Sequence, residues 1–255
     1  MLLCVHLVSV FHFHSFSSQL DGFETKFRFQ ISDHSQICSF HVDPAYGISH
    51  YKSCAIHGGD GFAFVLHLDQ KLNSSAVGGN GFRLGYSGIA NSIAVEFDTW
   101  TNADNNDESD DVFFDHISIH SAGKKPNKSD RSSSLGYWRA ISLADGKIHT
   151  VCIRYLPRIE TAYLEAMTAN DNLLPYIKDN GEGRSVGTLA VFIDEGVESD
   201  TPILAIPLNL SVLLDLPQDD AYVGFTASTG LKWEKHDILD WQWCSTELCT
   251  QKQTA

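Results

Sequence analysis

Between residues 94 and 119 the chain reads AVEFDTWTNADNNDESDDVFFDHISI. Glu96 and Asp98 sit two apart in an otherwise apolar run. On a strand that spacing places both carboxylates on one face, with Cα atoms about 6.6 Å apart, so both reach one ion or an adjacent pair. Two uncompensated carboxylates this close raise each other's pKa and cost stability, and a divalent cation removes that penalty. Oxygen ligands from Asp, Asn and backbone carbonyls suit calcium. An imidazole such as His116, at the head of the next apolar run, suits a transition metal such as manganese or zinc. One strand and its following loop thus have the donors for two neighbouring cation sites. The plainer alternative is a solvated pair on a half-exposed strand. Most of the loop carboxylates (Asp104, Asp107, Glu108, Asp110, Asp111) fit that plainer description.

Asp60 stands in HGGDGFAF, and Gly-Gly-Asp-Gly is ordinary turn chemistry.

The elements that must position these residues alternate with period two. In GFETKFRFQI, Phe23, Thr25, Phe27, Phe29 and Ile31 face one way, and Glu24, Lys26, Arg28 and Gln30 the other. Residues 61–68, 92–100, 115–121, 147–155, 188–194, 221–228 and 236–244 read as further strands, separated by Gly-, Asn- and Asp-rich turns. Many short strands without intervening helices predict an all-β antiparallel sandwich or jelly roll. The stretch 160–187 is the least strand-like and reads as an insertion or loop. Phe62 and Phe64 are core candidates.

The chain has 255 residues, 43% hydrophobic and 20% charged, which suits one large β domain. A formal charge of −14 excludes nucleic-acid binding through the net field. No stretch reaches the ~20 apolar residues of a membrane span. Residues 1–20 read either as a secretory leader or as a first strand, because the apolar run lacks a basic start and alternates from Ser9 to Phe16. Cys38 and Cys54 flank a polar loop that a disulfide would close. Cys244 and Cys249 suit a bridge in the tail, and Cys152 reads as a buried thiol. With Asn-x-Ser sequons at Asn73, Asn127 and Asn209, the cysteines point to a secretory environment.

The pieces DGFAFVLHL, LGYSGIANSIAVEFDTWTN, DHISI, LADGKIHTV, AYVGFTASTG and HDILDW, in this order, resemble the legume-type (L-type) lectin domain. The resemblance runs from about Gly22 to Trp243, with 160–187 poorly matched, and assigns 21–250 to one such domain. It implies a legume-lectin jelly roll and reversible, non-catalytic binding of glycans or glycoproteins through a Ca²⁺/Mn²⁺ pair. Glu96 and His116 resemble manganese ligands, and Asp98 the carboxylate that bridges both ions. The Trp100 carbonyl and the Asn102 side chain resemble calcium ligands. The second bridging aspartate falls in a loop longer than the family pattern, at Asp107 in preference to Asp104. Asp60 resembles the sugar-binding aspartate, preceded by a cis peptide. VGGNG (77–81) resembles the loop that offers a backbone N–H to the sugar, with Gly79 the donor, and Trp100 and Asn102 complete the sugar site. Fewer residues precede GFETKF than in the family, so residues 5–16 substitute for its edge strand or the first strand is truncated. Association of copies through sheet faces or edges is a further expectation. The competing functions are a sandwich module for adhesion or protein recognition that has lost sugar binding, and a glycoside hydrolase of similar fold. The hydrolase needs a second glutamate after the carboxylate pair, and Trp100 and Thr101 stand there instead.

Overall fold

The computed structural model describes residues 7–15, 22–42, 50–56, 58–69, 71–100, 115–140, 142–178, 186–214, 220–230 and 232–245. The strands are β1 (Leu7–Ser15), β2 (Phe23–Ser32), β3 (Gln36–Val42), β4 (His50–Ile56), β5 (Gly61–His67), β6 (Ser92–Asp98), β7 (His116–His120), β8 (Ser134–Arg139), β9 (Ile148–Leu156), β10 (Gly187–Ile193), β11 (Leu204–Leu208), β12 (Asp220–Ser228) and β13 (Lys235–Ser245). They form a six-stranded sheet ordered β1-β12-β5-β6-β7-β8 and a five-stranded sheet ordered β11-β10-β9-β2-β13. Strands β3 and β4 pair as a separate hairpin. All the ladders are antiparallel.

The core lies between the two sheets. Phe27 and Phe29 of β2 meet Phe62 of β5 and Phe97 of β6, all at most 1% exposed. Phe62 and Phe97 stack at 4.6 Å, and Phe29 meets Phe62 edge-on at 5.0 Å. The alternation expected in β2 holds, since Phe23, Thr25, Phe27, Phe29 and Ile31 are all buried. At the rim of this core, Phe225, Ile238 and Trp241 line a cavity of about 380 Å³ that reaches Ser228, Glu234 and His236.

The six-stranded sheet is covered on its second face as well. Leu84, Tyr86 and Ile89, from the segment joining β5 to β6, pack on Ala63, Val65 and Ala94. Strands β5 and β6 are therefore buried on both faces, and Glu96 and Asp98 with them. Cys152 is free and buried, as expected. Burial, and next the charge of Glu24, pushes its thiol up to about 12.

The eight expected strands all form. Of the two readings of the N-terminus, Leu7–Ser15 is strand, paired along its length with β12 from Leu7↔Ser228 to Ser15↔Asp220. Four strands were not expected: β3, β4, β8 and β11. Strands β8 and β11 are sheet edges, where one side lacks a neighbour and alternation is weak. Pro207 sits within β11, and an edge is where a sheet tolerates proline. Among its described residues, the stretch 160–187 holds the 3-10 turns Thr161–Ala166 and Asp171–Tyr176, and β10 starts at its last residue, Gly187. Tyr163 of the first turn packs on Cys152 and Phe192, on the outer face of the five-stranded sheet.

Candidate functional site

Register and alternation gather the acidic residues. Along β6, Val95 and Phe97 point into the core, and Ala94, Glu96 and Asp98 point to the opposite face. Asp98 pairs with His116, Glu96 with Ser118 and Ala94 with His120 across the β6–β7 ladder. Glu96, Asp98 and His116 are each at most 4% exposed. His116 Nε2 is 3.4 Å from Glu96 Oε1. Asp98 Oδ1 accepts from the Trp100 N–H at 2.7 Å, which fixes the turn out of β6.

Two further groups, not singled out in the sequence analysis, join this cluster. His120 Nε2 is 2.9 Å from Glu96 Oε1, and the Tyr86 hydroxyl donates to Glu96 Oε2 at 2.6 Å. His120 Nδ1 faces the Lys128 carbonyl at 3.0 Å. Burial alone would raise the Glu96 pKa. The charges and hydrogen bonds of His120 and His116 outweigh it and hold the carboxyl well below its usual range. HISIH carried the signal, because residues 116 and 120 share a strand face.

The donor types, two carboxylates and an imidazole converging from adjacent strands, fit a transition metal. Both Glu96 oxygens are engaged by His116, His120 and Tyr86, and no cluster of three His, Cys, Asp or Glu among the described residues is gathered to hold an ion. Asn102, Asp104 and Asp107 lie outside the described residues, so the expected calcium half is represented only by Asp98 and Trp100.

Asp60 stands beside this cluster, at the start of β5. The Gly59–Asp60 peptide is cis, as the resemblance implied. Asp60 N donates to the Ser228 carbonyl at 3.1 Å, and Asp60 O accepts from the Thr99 N–H at 3.1 Å. The chain leaving β6 and the chain leaving β12 thus clamp it from both sides. Gly59 has φ of 152°, and a Cβ there would lie 3.0 Å from Trp100 Cβ, so the Trp100 side chain packs directly under this peptide. Asp60 is 7% exposed, and its Oδ2 has no hydrogen-bond partner among the described residues. Burial, then the charge of Glu234, pushes its carboxyl up to about 7.

Glu234 is the other residue missed. Its side chain is fully buried. It accepts from the Thr99 hydroxyl and lies 3.0 Å from His236 Nε2 and 3.3 Å from His34 Nδ1. A Cβ on Gly58 would fall 2.0 Å from Glu234 Oε2, so glycine is required there. One carboxylate therefore ties three chain segments behind Asp60, those of His34, of Thr99 and of the start of β13. His236, two residues on in β13, is one of its partners.

The glycine loop is anchored to the same place. The Ser228 hydroxyl donates to the Gly81 carbonyl at 2.5 Å, and the Thr226 hydroxyl to the Leu84 carbonyl at 2.8 Å. The Gly79 N–H donates to the Ser87 carbonyl at 2.8 Å, inside the loop. The amides of Asn80 and Gly81 enter no backbone hydrogen bond of this kind among the described residues. Asp60, Trp100 and the 78–82 loop are thus brought together at one end of the six-stranded sheet, beside Asp98 and His116.

Comparison with known proteins bears on the family and the fold. The chain is 29% identical over 195 residues to the probable L-type lectin-domain containing receptor kinase VII.2 of Arabidopsis thaliana, covering 74% of this chain and 24% of the relative. It is 25% identical over 229 residues to L-type lectin-domain containing receptor kinase VII.1 of the same organism, covering 84% of this chain and 27% of the relative. The chain thus spans about a quarter of the length of either relative. Among solved structures, the lectin from Bauhinia forficata in complex with GalNAc superposes with a TM-score of 0.52 at 17% identity, covering 92% of this chain and 77% of that one. The Ca²⁺/Man3GlcNAc-bound VIP36 exoplasmic/lumenal domain gives 0.50 at 16% identity, covering 92% and 84%. At these identities the likeness shows a shared fold. The legume lectin domain profile matches residues 8–255, and the chain belongs to that family.

Proposed function

We propose that the protein binds carbohydrate reversibly at the end of the six-stranded sheet, with Asp60 as the residue that receives the sugar. The observation that carries this is the Asp60 carboxylate: buried, held by backbone on both sides, with Oδ2 unpartnered among the described residues. A buried acceptor without a donor is costly, and a sugar hydroxyl is the donor that would satisfy it. Trp100 under the cis peptide supplies the apolar surface, and the loop carrying Gly79 supplies main-chain donors. Because Gly79 itself donates within the loop, Asn80 and Gly81 are the better placed amides. Asn102 is assigned to the sugar by its position in VEFDTWTN.

Glu96, Asp98 and His116 would hold manganese or another transition metal, and Asp98, the Trp100 carbonyl, Asn102 and Asp107 would hold calcium. One Ca²⁺/Man3GlcNAc-bound domain and one GalNAc-bound lectin share the fold, which supports calcium beside a sugar here. When bound, the cations supply positive charge that neutralises the carboxylates and fixes the loop after β6, which lowers the ordering cost of sugar binding. Within the chain, Asp98 sets the Trp100 turn and Glu234 braces the Asp60 segment. Both act by orienting. The receptor-kinase and lumenal relatives favour an extracellular or secretory location. The domain proper is taken as 21–250, preceded by β1.

A glycan array with and without added Ca²⁺ tests this. Calcium-dependent binding of one sugar class supports it. A flat array with metal-loaded, folded protein removes sugar binding and leaves the adhesion-module alternative.

A further inference from the structure

The three Asn-x-Ser sequons are not equivalent in the fold. Asn127 is 1% exposed. Its Nδ2 donates to Ser92 Oγ and to the His120 carbonyl, both at 3.1 Å, and its Oδ1 accepts from the Lys128 N–H at 2.8 Å. Asn209 is also 1% exposed. Its Nδ2 donates to the Lys178 carbonyl at 2.7 Å, and its Oδ1 accepts from Ser211, the serine of its own sequon, at 2.8 Å. A sugar on Asn127 would replace a donated hydrogen, and on either nitrogen it would require space that the packed interior lacks. These two asparagines are structural, although all three sequons read alike.

Asn73 is different. It is exposed, as are Ser74 and Ser75 of its sequon. It opens the 3-10 turn Asn73–Ser75 with φ of 49°, a left-handed conformation that asparagine tolerates. Its backbone is held, because its N–H donates to the Asp69 carbonyl and its carbonyl accepts from the Ala76 N–H. A rigid turn therefore presents the side chain to solvent.

We propose that Asn73 is the attachment site for an N-linked glycan. This rests on the secretory reading above. In the reaction, Asn73 Nδ2 bonds to the anomeric carbon of an oligosaccharide carried on a lipid pyrophosphate. The bond from that carbon to the pyrophosphate oxygen breaks, the lipid pyrophosphate leaves with the electron pair, and one amide proton passes to a base of the transferring enzyme. No oxidation occurs.

The position has a functional consequence. Strand β5 starts at Gly61, next to Asp60, and ends at His67, roughly 20 Å away at ~3.3 Å per residue. Asn73 follows that far end, so a glycan there stands clear of the Asp60 site. The same turn packs against β1, the outermost strand of the six-stranded sheet. A bulky hydrated chain beside an edge strand opposes edge-to-edge pairing of copies.

The full chain, fused to a cleavable leader and expressed in a eukaryotic secretory host, gives the test. Peptide mapping of the secreted protein, after enzymatic deglycosylation in heavy-oxygen water, shows which asparagine carried sugar. The expected result is labelling of Asn73 alone, and loss of the whole glycan mass in Ser75→Ala, which removes the sequon and leaves the left-handed Asn73 in place. An unmodified Asn73 in secreted, folded protein, or a glycan on Asn127 or Asn209, overturns the proposal. The same chain without the added leader tests secretion separately, so failure of the secretory reading is distinguishable from failure at Asn73.

Discussion

Asp60 carries the sharpest residue-scale consequences. Asp60→Asn keeps the side chain's shape and exchanges one acceptor oxygen for a donor. Charge-assisted hydrogen bonds contribute about 1.5–3 kcal/mol, so sugar affinity should fall roughly ten- to a hundredfold by calorimetry. Metal content of the same preparation should not change, and wild-type affinity in this variant would place the site elsewhere. The carboxyl also predicts a pH dependence. Its value rises from 3.8 to about 7 on folding, so the native state holds a proton that the unfolded chain has given up. Its contribution to stability is full below the unfolded value and is lost as pH rises through about 7. Binding has the opposite sign, because sugar hydroxyls need the ionised acceptor. Affinity should grow about tenfold between about pH 6 and pH 8, with a proton released, as calorimetry in buffers of different ionisation heat would register. A constant affinity over that range would contradict the assignment. That Glu96 and Asp98 share a face was legible in the sequence, because spacing of two on a strand reports it, whereas Asp60 and His116 were picked out by the family resemblance. Glu234 was not, because its partners His34 and Thr99 lie 200 and 135 residues away in the chain.

At the scale of elements, the β3–β4 hairpin makes a covalent prediction. Cys38 and Cys54 are direct Cα partners in its ladder. Opposed residues in an antiparallel pair have Cα atoms about 4.5–5.5 Å apart, within the range that a disulfide spans. Non-reducing peptide mapping should recover the two as one linked peptide, and reduction should cost about 3 kcal/mol on the chain-entropy account. Two free thiols in protein from an oxidising compartment would refute the pairing. Cys244 is disulfide-bonded, to a partner outside the described side chains. Strands β6 and β7 make a second prediction. Asp98→Ala should lower both Ca²⁺ and Mn²⁺ content by elemental analysis and abolish sugar binding, because Asp98 serves both expected sites and sets the Trp100 turn. Retention of both ions would show that β6 does not carry the metals. Central strands announced themselves by period-two patterning or dense apolar runs. The edge strands β8 and β11 did not, since Tyr137 is 57% exposed and Pro207 interrupts the donors of its strand.

For the molecule as a whole, cation binding and folding should be linked. A ligand held only by the native state at a hundred times its Kd adds about 2.7 kcal/mol. Chelation followed by dialysis should lower the melting temperature, and Ca²⁺ with Mn²⁺ should restore it. An identical melting curve for a metal-free sample would count against the paired site.

The five-stranded sheet sets β13 directly against β2, so that Trp241 Nε1 donates to Thr25 Oγ1 across 216 residues of chain. A ribosome adding about 5–20 residues per second needs roughly 10–40 seconds to travel that distance. For that interval β2 is already made, and the strand that will cover one side of it does not yet exist. The phenylalanines of β2 are the centre of the finished core, so the nascent chain must carry them unsealed until its last strand emerges. Stalled chains that end before Lys235 should stay protease-sensitive. Chains stalled with β13 clear of the exit tunnel should become resistant, which makes completion of this sandwich an event at the end of translation.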